Sequence, residues 1–139
     1  MTIINKKIFL FLLLFFLIGI QSTIADNFNN NLREIRSEIN RDNLQDAIKK
    51  IKKIKISNEN EQEKIDLLFG DIYLKINQID KAEEFYQKNF FTSNEEIETL
   101  TFIGLAEVRL AQGKLDSAIK YAEQSIKINP NKVRSKIIL

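Results

Sequence analysis

Two stretches of this chain carry one pattern of small and large side chains, 36 residues apart, and that repetition limits what the chain can fold into. In the first stretch, Gly70 to Lys88, Gly70 and Tyr73 lie one helical turn apart, as do Ala82 and Tyr86. Gly and Ala let two helix backbones approach closely. Tyr73, Tyr86, Phe69 and Phe85 are large enough to fill the space beside that contact. Asn77 sits between the two halves, where a left-handed residue is needed and Asn tolerates one. In the second stretch Ala106, Arg109, Gly113, Ala118 and Ala122 stand at the offsets of Gly70, Tyr73, Asn77, Ala82 and Tyr86. The pattern predicts pairs of short antiparallel helices, used at least twice.

This spacing and these residue types resemble the tetratricopeptide repeat, a helix-turn-helix unit of about 34 residues. The downstream copy supplies Phe102, Leu105, Ala106, Gly113, Ala118, Ala122 and Pro130, with Arg109 where the family has Tyr. The middle copy supplies Phe69, Gly70, Tyr73, Ala82 and Tyr86. It has Asp66 at the first large position and lacks the closing Pro. Upstream, Ala47 precedes Ala82 by 35, and Leu44, Ile79 and Leu115 share one equivalent position. Ile35 stands there in place of Gly70 and Glu38 in place of Tyr73. These residues are read as a degenerate first copy, since a first repeat often diverges where one face meets solvent. The resemblance implies an all-α, right-handed solenoid of three repeats, near residues 28–59, 63–96 and 99–132, within a domain spanning 26–139.

Residues 1–25 read as a secretory signal or a membrane anchor. Lys6 and Lys7 precede a 13-residue apolar run, Ile8 to Ile20, and Thr23-Ile24-Ala25 offers a small residue at the cut. The run is shorter than the roughly 20 apolar residues that span a bilayer, which favours cleavage. The alternative is an uncleaved anchor lengthened by the mildly polar Gln21 to Ala25. Either reading exports the remainder, as a periplasmic or secreted protein, or one anchored in the inner membrane. The chain has 21 basic and 19 acidic residues, and loss of Lys6 and Lys7 leaves 19 of each. The part after the signal therefore carries no electrostatic attraction to nucleic acid.

The absence of Cys and His removes thiolate nucleophiles, the usual zinc ligands and the side chain suited to proton transfer near neutral pH. Ser117 and Ser125 have no His to activate them. Glu59, Glu61, Glu63 and Asp66, and separately Glu95, Glu96 and Glu98, could be offered as a cation site. The favoured reading is acid enrichment at helix N-termini. No catalytic, metal or cofactor-binding residue is predicted. Lys49, Lys50, Lys52, Lys53 and Lys55 could meet an acidic partner or an anionic membrane, or Glu59, Glu61 and Glu63 nearby. A solvated helix face is favoured.

Local patterns place the helices. Leu32, Ile35 and Ile39 recur at helical spacing after an Asn-rich lead, Asp26 to Asn31. A break at Arg41-Asp42-Asn43 precedes a stripe of Leu44, Ala47, Ile48, Ile51 and Ile54. Helices are predicted over 60–76 and 80–91, the second capped by Asp80, and a capping box at Ser93 and Glu96 opens the next. After Pro130, Val133, Ile137 and Ile138 look like the start of a further helix. Three readings stand: they cover the last apolar strip, near Ile119, Ile126 and Ile128; that strip stays open to self-association or a partner; or the sequence is truncated from a longer protein.

What remains is a surface. The resemblance implies that the first helix of each repeat lines a groove. Its contact positions would be Lys64, Leu67, Asp71, Leu74 and Lys75 in the middle repeat, and Ile103, Glu107, Leu110 and Ala111 in the third. Asp71 and Glu107 stand where relatives that grip a terminal carboxylate use Asn. A mixed apolar and acidic groove suits an extended or helical segment carrying Lys or Arg. The expected function is an exported protein-interaction module or assembly scaffold of the cell envelope. The alternative is a membrane-tethered repeat protein that self-associates through its apolar C-terminal end. The partner is a protein or peptide, not nucleic acid, and the membrane enters only through an uncleaved N-terminal segment.

Overall fold

A computed structural model describes residues 3–131. Among these residues the chain is all-helical: α1 (Ile3–Asn40), α2 (Leu44–Ile51), α3 (Glu59–Lys75), α4 (Ile79–Gln87), α5 (Glu95–Ala111) and α6 (Leu115–Ile128). The expected stub, Val133 to Leu139, lies outside the described residues. The chain divides into two compact units, one ending at Ile54 and the other beginning at Lys55.

The first unit is the hairpin of α1 and α2. Phe28, Leu32, Ile35 and Ile39 are all buried and recur every three or four residues along α1. Residues 26–31 read from sequence as either a flexible lead or the frayed start of a helix, and they are helical. The helix is unbroken there, because Phe28 extends the apolar stripe by one turn. Ala47 and Ile51 of α2 are buried in the same hairpin. Lys50 bonds Glu34 at 3.0 Å and Glu38 at 3.4 Å, both on α1. Lys49, Lys52, Lys53 and Lys55 are exposed, as a solvated face requires. Nearer its start, α1 leaves Leu10 to Leu14 and Phe16 exposed.

The second unit holds two hairpins, α3–α4 and α5–α6, with α5 packed on both α3 and α4. The three hairpins among the described residues turn in the same way. The residues of positive φ among the described residues are Asp42, Asn77 and Gly113, at 66°, 58° and 71°. Each donates its N–H to the carbonyl three residues back: Asp42 to Ile39, Asn77 to Leu74 and Gly113 to Leu110. The next residue reaches five back, Asn43 to Glu38, Gln78 to Tyr73 and Lys114 to Arg109, at 2.9, 2.9 and 2.8 Å. This paired closure absorbs carbonyls that a helix end leaves without partners. Four residues later Ala47, Ala82 and Ala118 each make the first bond of the second helix, and all three are fully buried. The small-residue register read from the sequence is thus a register of three identical turns.

Two caps differ from expectation. The α4 helix already begins at Ile79, so Asp80 lies inside its first turn and Gln78 stands at the cap position without a side-chain bond. The tight turn leaves one residue between Asn77 and the helix, too few for Asp80 to serve. The α5 helix is capped by Asn94, whose side chain accepts from the N–H groups of Glu96 and Ile97, so the cap sits one residue beyond Ser93. Asn58 caps α3 by accepting from Glu61 N–H, and the Glu61 carboxylate accepts from Ser57 N–H at 2.8 Å. The α4 helix ends at Gln87, short of Phe91, because its last turn tightens into the bonds Asn89 to Tyr86 and Phe90 to Gln87. Asn89 is buried there and its amide donates to the Glu63 carbonyl of α3 at 2.8 Å.

Tyr86 joins the hairpins. It is 1 % exposed, and a Cβ added at Gly70 of α3 would lie 2.6 Å from its ring. A Cβ at Gly104 of α5 would come closer still to the same ring. One aromatic plate thus fills the space left by two glycines on successive first helices, and its hydroxyl donates to Asp71 at 2.7 Å. Phe69, Tyr73 and Phe85 form a separate half-buried group, with ring centroids 5.1 to 6.4 Å apart. They do fill the side of the α3–α4 contact, as expected, but Tyr86 belongs to the contact between repeats.

Replacing Gly104 by Ala should cost about 1–3 kcal/mol, because the buried ring of Tyr86 has nowhere to move. Gly113→Ala, where the added methyl meets open space at positive φ, should cost about 1 kcal/mol. Thermal melts followed by circular dichroism measure both, and a Gly104→Ala melting point equal to the parent's would remove Tyr86 from its wedge. Thr101 is fully buried, and its hydroxyl has no hydrogen-bond partner among the described residues. Thr101→Val should therefore raise stability by about 1 kcal/mol, seen as a higher urea midpoint at unchanged slope.

Candidate functional site

The positions expected to line a groove fall into two groups. Leu67 and Ile103 are core residues, 4 % and 1 % exposed, which corrects their place among the surface contacts. The apolar side of α3 and α5 turns them inward against the neighbouring helices. Leu74 is half-buried and packs against the same core. Lys64, Asp71 and Glu107 are half-buried, while Lys75, Leu110 and Ala111 are exposed. Asp71 and Glu107 are equivalent positions of α3 and α5, which are in contact. One Asp71 oxygen accepts from the Tyr86 hydroxyl, so its carboxylate is oriented from below by the inter-repeat wedge.

A feature with no local signature in the sequence lies between α4 and α5. Arg109 forks onto Glu83, Nη2 to Oε1 at 2.6 Å and Nη1 to Oε2 at 2.7 Å. Gln112 closes the group, accepting from Arg109 at 2.8 Å and donating to Glu83 at 3.1 Å. Both charged side chains are four-fifths buried or more, so this pair is far less screened than one on an open surface. The hydrogen bonds from Arg109 hold the Glu83 carboxyl below its ordinary range, and Glu83 in turn raises Arg109. The partners are 26 residues apart and on different repeats, so no local spacing announces them. Asp66 behaves oppositely. Burial pushes its carboxyl up, and Gln62 donates to it at 3.0 Å.

Arg109 also lines a pocket of about 590 Å³ with Phe90, Phe102, Ser117, Lys120, Tyr121 and Gln124. Phe102 and Tyr121 stack with centroids 6.0 Å apart, and Phe90 meets Phe102 edge to face at 5.6 Å. Among the described residues no group of three carboxylates is close enough to hold a metal ion.

The family model described as the tetratricopeptide repeat matches residues 67–88 and 101–132. Those two segments are tetratricopeptide repeats. They begin within α3 and within α5 and take in the turns and second helices of the hairpins α3–α4 and α5–α6 that the wedge of Tyr86 joins. No curated protein and no solved structure matches the chain. Tetratricopeptide repeats generally mediate binding of protein partners, and catalysis is not their usual role.

The ion pair predicts a pH dependence. Glu83 has its pKa lowered in the folded state, so its contribution is complete above the ordinary glutamate range and is lost as pH falls through the lowered value. Glu83→Gln should cost about 1–3 kcal/mol at pH 7, and the gap from the parent protein should close on acidification below about pH 4. Chemical denaturation across that range measures it, and a gap independent of pH would count against the pair.

Proposed function

We propose that the protein is an exported protein-interaction module of the cell envelope, and that the side of α3 and α5 takes a partner segment carrying Lys or Arg. The observation that supports this most is the pairing of Asp71 and Glu107. They are equivalent, half-buried carboxylates on two helices in contact, with exposed Leu110 and Ala111 beside them. Such a strip offers apolar area next to negative charge, which suits a segment alternating apolar and basic residues. Lys64 and Lys75 lie at the two ends of the α3 positions and favour an acidic residue at either end of that segment. A cleavable leader supports export. Lys6 and Lys7 precede the apolar run, and a cut after Ala25 falls before Phe28, so it leaves the buried stripe of α1 whole.

A second reading keeps α1 as a tether. The exposed apolar side chains of Leu10 to Leu14 and Phe16 favour it, because water is a poor solvent for such a surface. Among the described residues, however, no helix is long and apolar enough to cross a membrane. In this reading the half-buried Ile119, Ile126 and Ile128 make the contact between copies.

Intact mass of the exported protein separates the readings, since a cut after Ala25 removes the whole leader and a tether retains it. Binding is read by fluorescence anisotropy of labelled basic and acidic peptides on an alternating Leu background. The basic peptide should bind, and Glu107→Lys should weaken it about tenfold while leaving oligomeric state alone. Asp71 is a poorer test, since its loss also removes the Tyr86 hydrogen bond. Equal binding of both peptides, or loss of oligomers in place of loss of binding, would overturn the groove assignment.

A further inference from the structure

The two repeats of the second unit can be compared position by position. In the middle repeat the outer ring faces are covered. Lys81 Nζ lies 5.4 Å from the Tyr73 centroid, and Lys88 Nζ lies 3.8 Å from that of Phe85. Thirty-six residues on, Tyr73, Lys81, Phe85 and Lys88 become Arg109, Ser117, Tyr121 and Gln124. The two covering lysines are thus replaced by shorter, uncharged side chains. Arg109 keeps its guanidinium 5.8 Å from the Tyr121 ring but is drawn onto Glu83. The result is the open pocket floored by Phe90, Phe102 and Tyr121.

The charge of the pocket is one-sided. Its lining holds Arg109 and Lys120 and no carboxylate. Arg109 is matched by Glu83 behind it, whereas Lys120 is exposed and has no ion-pair partner among the described residues. Glu84 is the equivalent of Lys120 in the middle repeat, so the sign is reversed along with the covering. The aromatic row also runs past the pocket. Phe91 meets Phe90 edge to face at 5.1 Å and is 93 % exposed. A small molecule seated over Tyr121 would leave Phe91 in water, whereas a chain lying along the row would cover both.

We propose that the pocket of α4, α5 and α6 is a second docking site, which takes a polypeptide segment with a bulky apolar side chain followed by an acidic residue. The apolar side chain sits on Phe102 and Tyr121, where an edge or a stacked face finds aromatic partners. The carboxylate meets Lys120, and Ser117 and Gln124 supply neutral hydrogen bonds to the segment's backbone. The segment continues over Phe91. This chemistry is the reverse of that proposed for α3 and α5, so the two assignments stand or fall separately.

The probe is a synthetic peptide with one Phe followed by Asp-Glu in a Gly-Ser background, titrated into the full chain and followed by amide NMR shifts. Shifts are expected at Lys120, Tyr121, Gln124 and Phe91. Lys120→Glu, at an exposed position, should weaken the peptide about tenfold with the melting temperature unchanged. Phe91→Ala should weaken it by a smaller factor, and Glu107→Lys should not affect it. Absence of shifts at these residues, indifference to Lys120→Glu, or equal binding of the peptide with Lys-Lys for Asp-Glu would overturn the proposal. So would phenylacetate binding as tightly as the peptide, which would assign the pocket to a small aromatic acid. A fall in sedimentation coefficient on Phe91→Ala without peptide would assign it to a second copy of the chain, and would also overturn it.

Discussion

The second unit depends on one aromatic ring held between two glycines. Tyr86 belongs to α4, yet the space it occupies is created by Gly70 of α3 and Gly104 of α5. The contact therefore fixes three helices at once, and a side chain on either glycine would drive them apart. Close packing makes such a wedge intolerant of one added methyl, where a looser apolar contact would yield. The hydroxyl bond to Asp71 adds direction, since a ring anchored at its tip cannot slide along the groove between the glycines. At the equivalent place in the third repeat stands Ala122, fully buried, so α6 meets its neighbours without a wedge of this kind.

The repeat was legible because its signals are local. Small residues at 70, 82, 106 and 118 recur at fixed offsets, and Asn77 and Gly113 mark turns by their tolerance of positive φ. Asp42 performs the same turn in the first hairpin, and the break at 41–43 located it without naming the residue that takes the left-handed conformation. What escaped notice is non-local. Gly104 sits two residues before the aligned small position, Ala106, and its role appears only once Tyr86 arrives from the preceding helix. Arg109 read as a departure from the family's Tyr, but its partner Glu83 lies on another helix. Leu67 and Ile103 were placed on the surface by position alone. The burial of this particular core decides otherwise. Caps moved by one residue because Ser93 and Asn94 both suit the role, and the backbone selects one.

Two carboxyls near the inter-helix contacts pull acid stability in opposite directions. Glu83 favours the folded state while ionised, and that support fades as protons bind. Asp66, raised by burial, weighs against folding while ionised, and that burden lifts as it is protonated. On acidification the folded state therefore loses at one site while it gains at the other. This opposition has its source in the repeat itself. It arises because Asp66 occupies the position where the repeat family carries a large apolar residue, while Glu83 faces an arginine that replaced an aromatic.

The balance of charge beyond residue 25 hides a similar cancellation. Lys and Arg equal Asp and Glu in number there, yet the α3–α5 strip carries Asp71 and Glu107, while the pocket over Tyr121 carries Lys120. Long-range steering follows net charge and is weak in such a chain, whereas docking follows the local field within about 10 Å. Partners would then be selected after encounter, by which patch their charge and apolar side chains fit. The repeat supplies the means for this. Buried positions of the two copies stay small or apolar and keep the helices in register. Exposed positions such as 84 and 120, and positions 81 and 117 outside the buried core, are free to invert in size or charge without disturbing the stack. Two surfaces of opposite preference can therefore stand on one scaffold, because the residues that distinguish them are not the residues that hold it together.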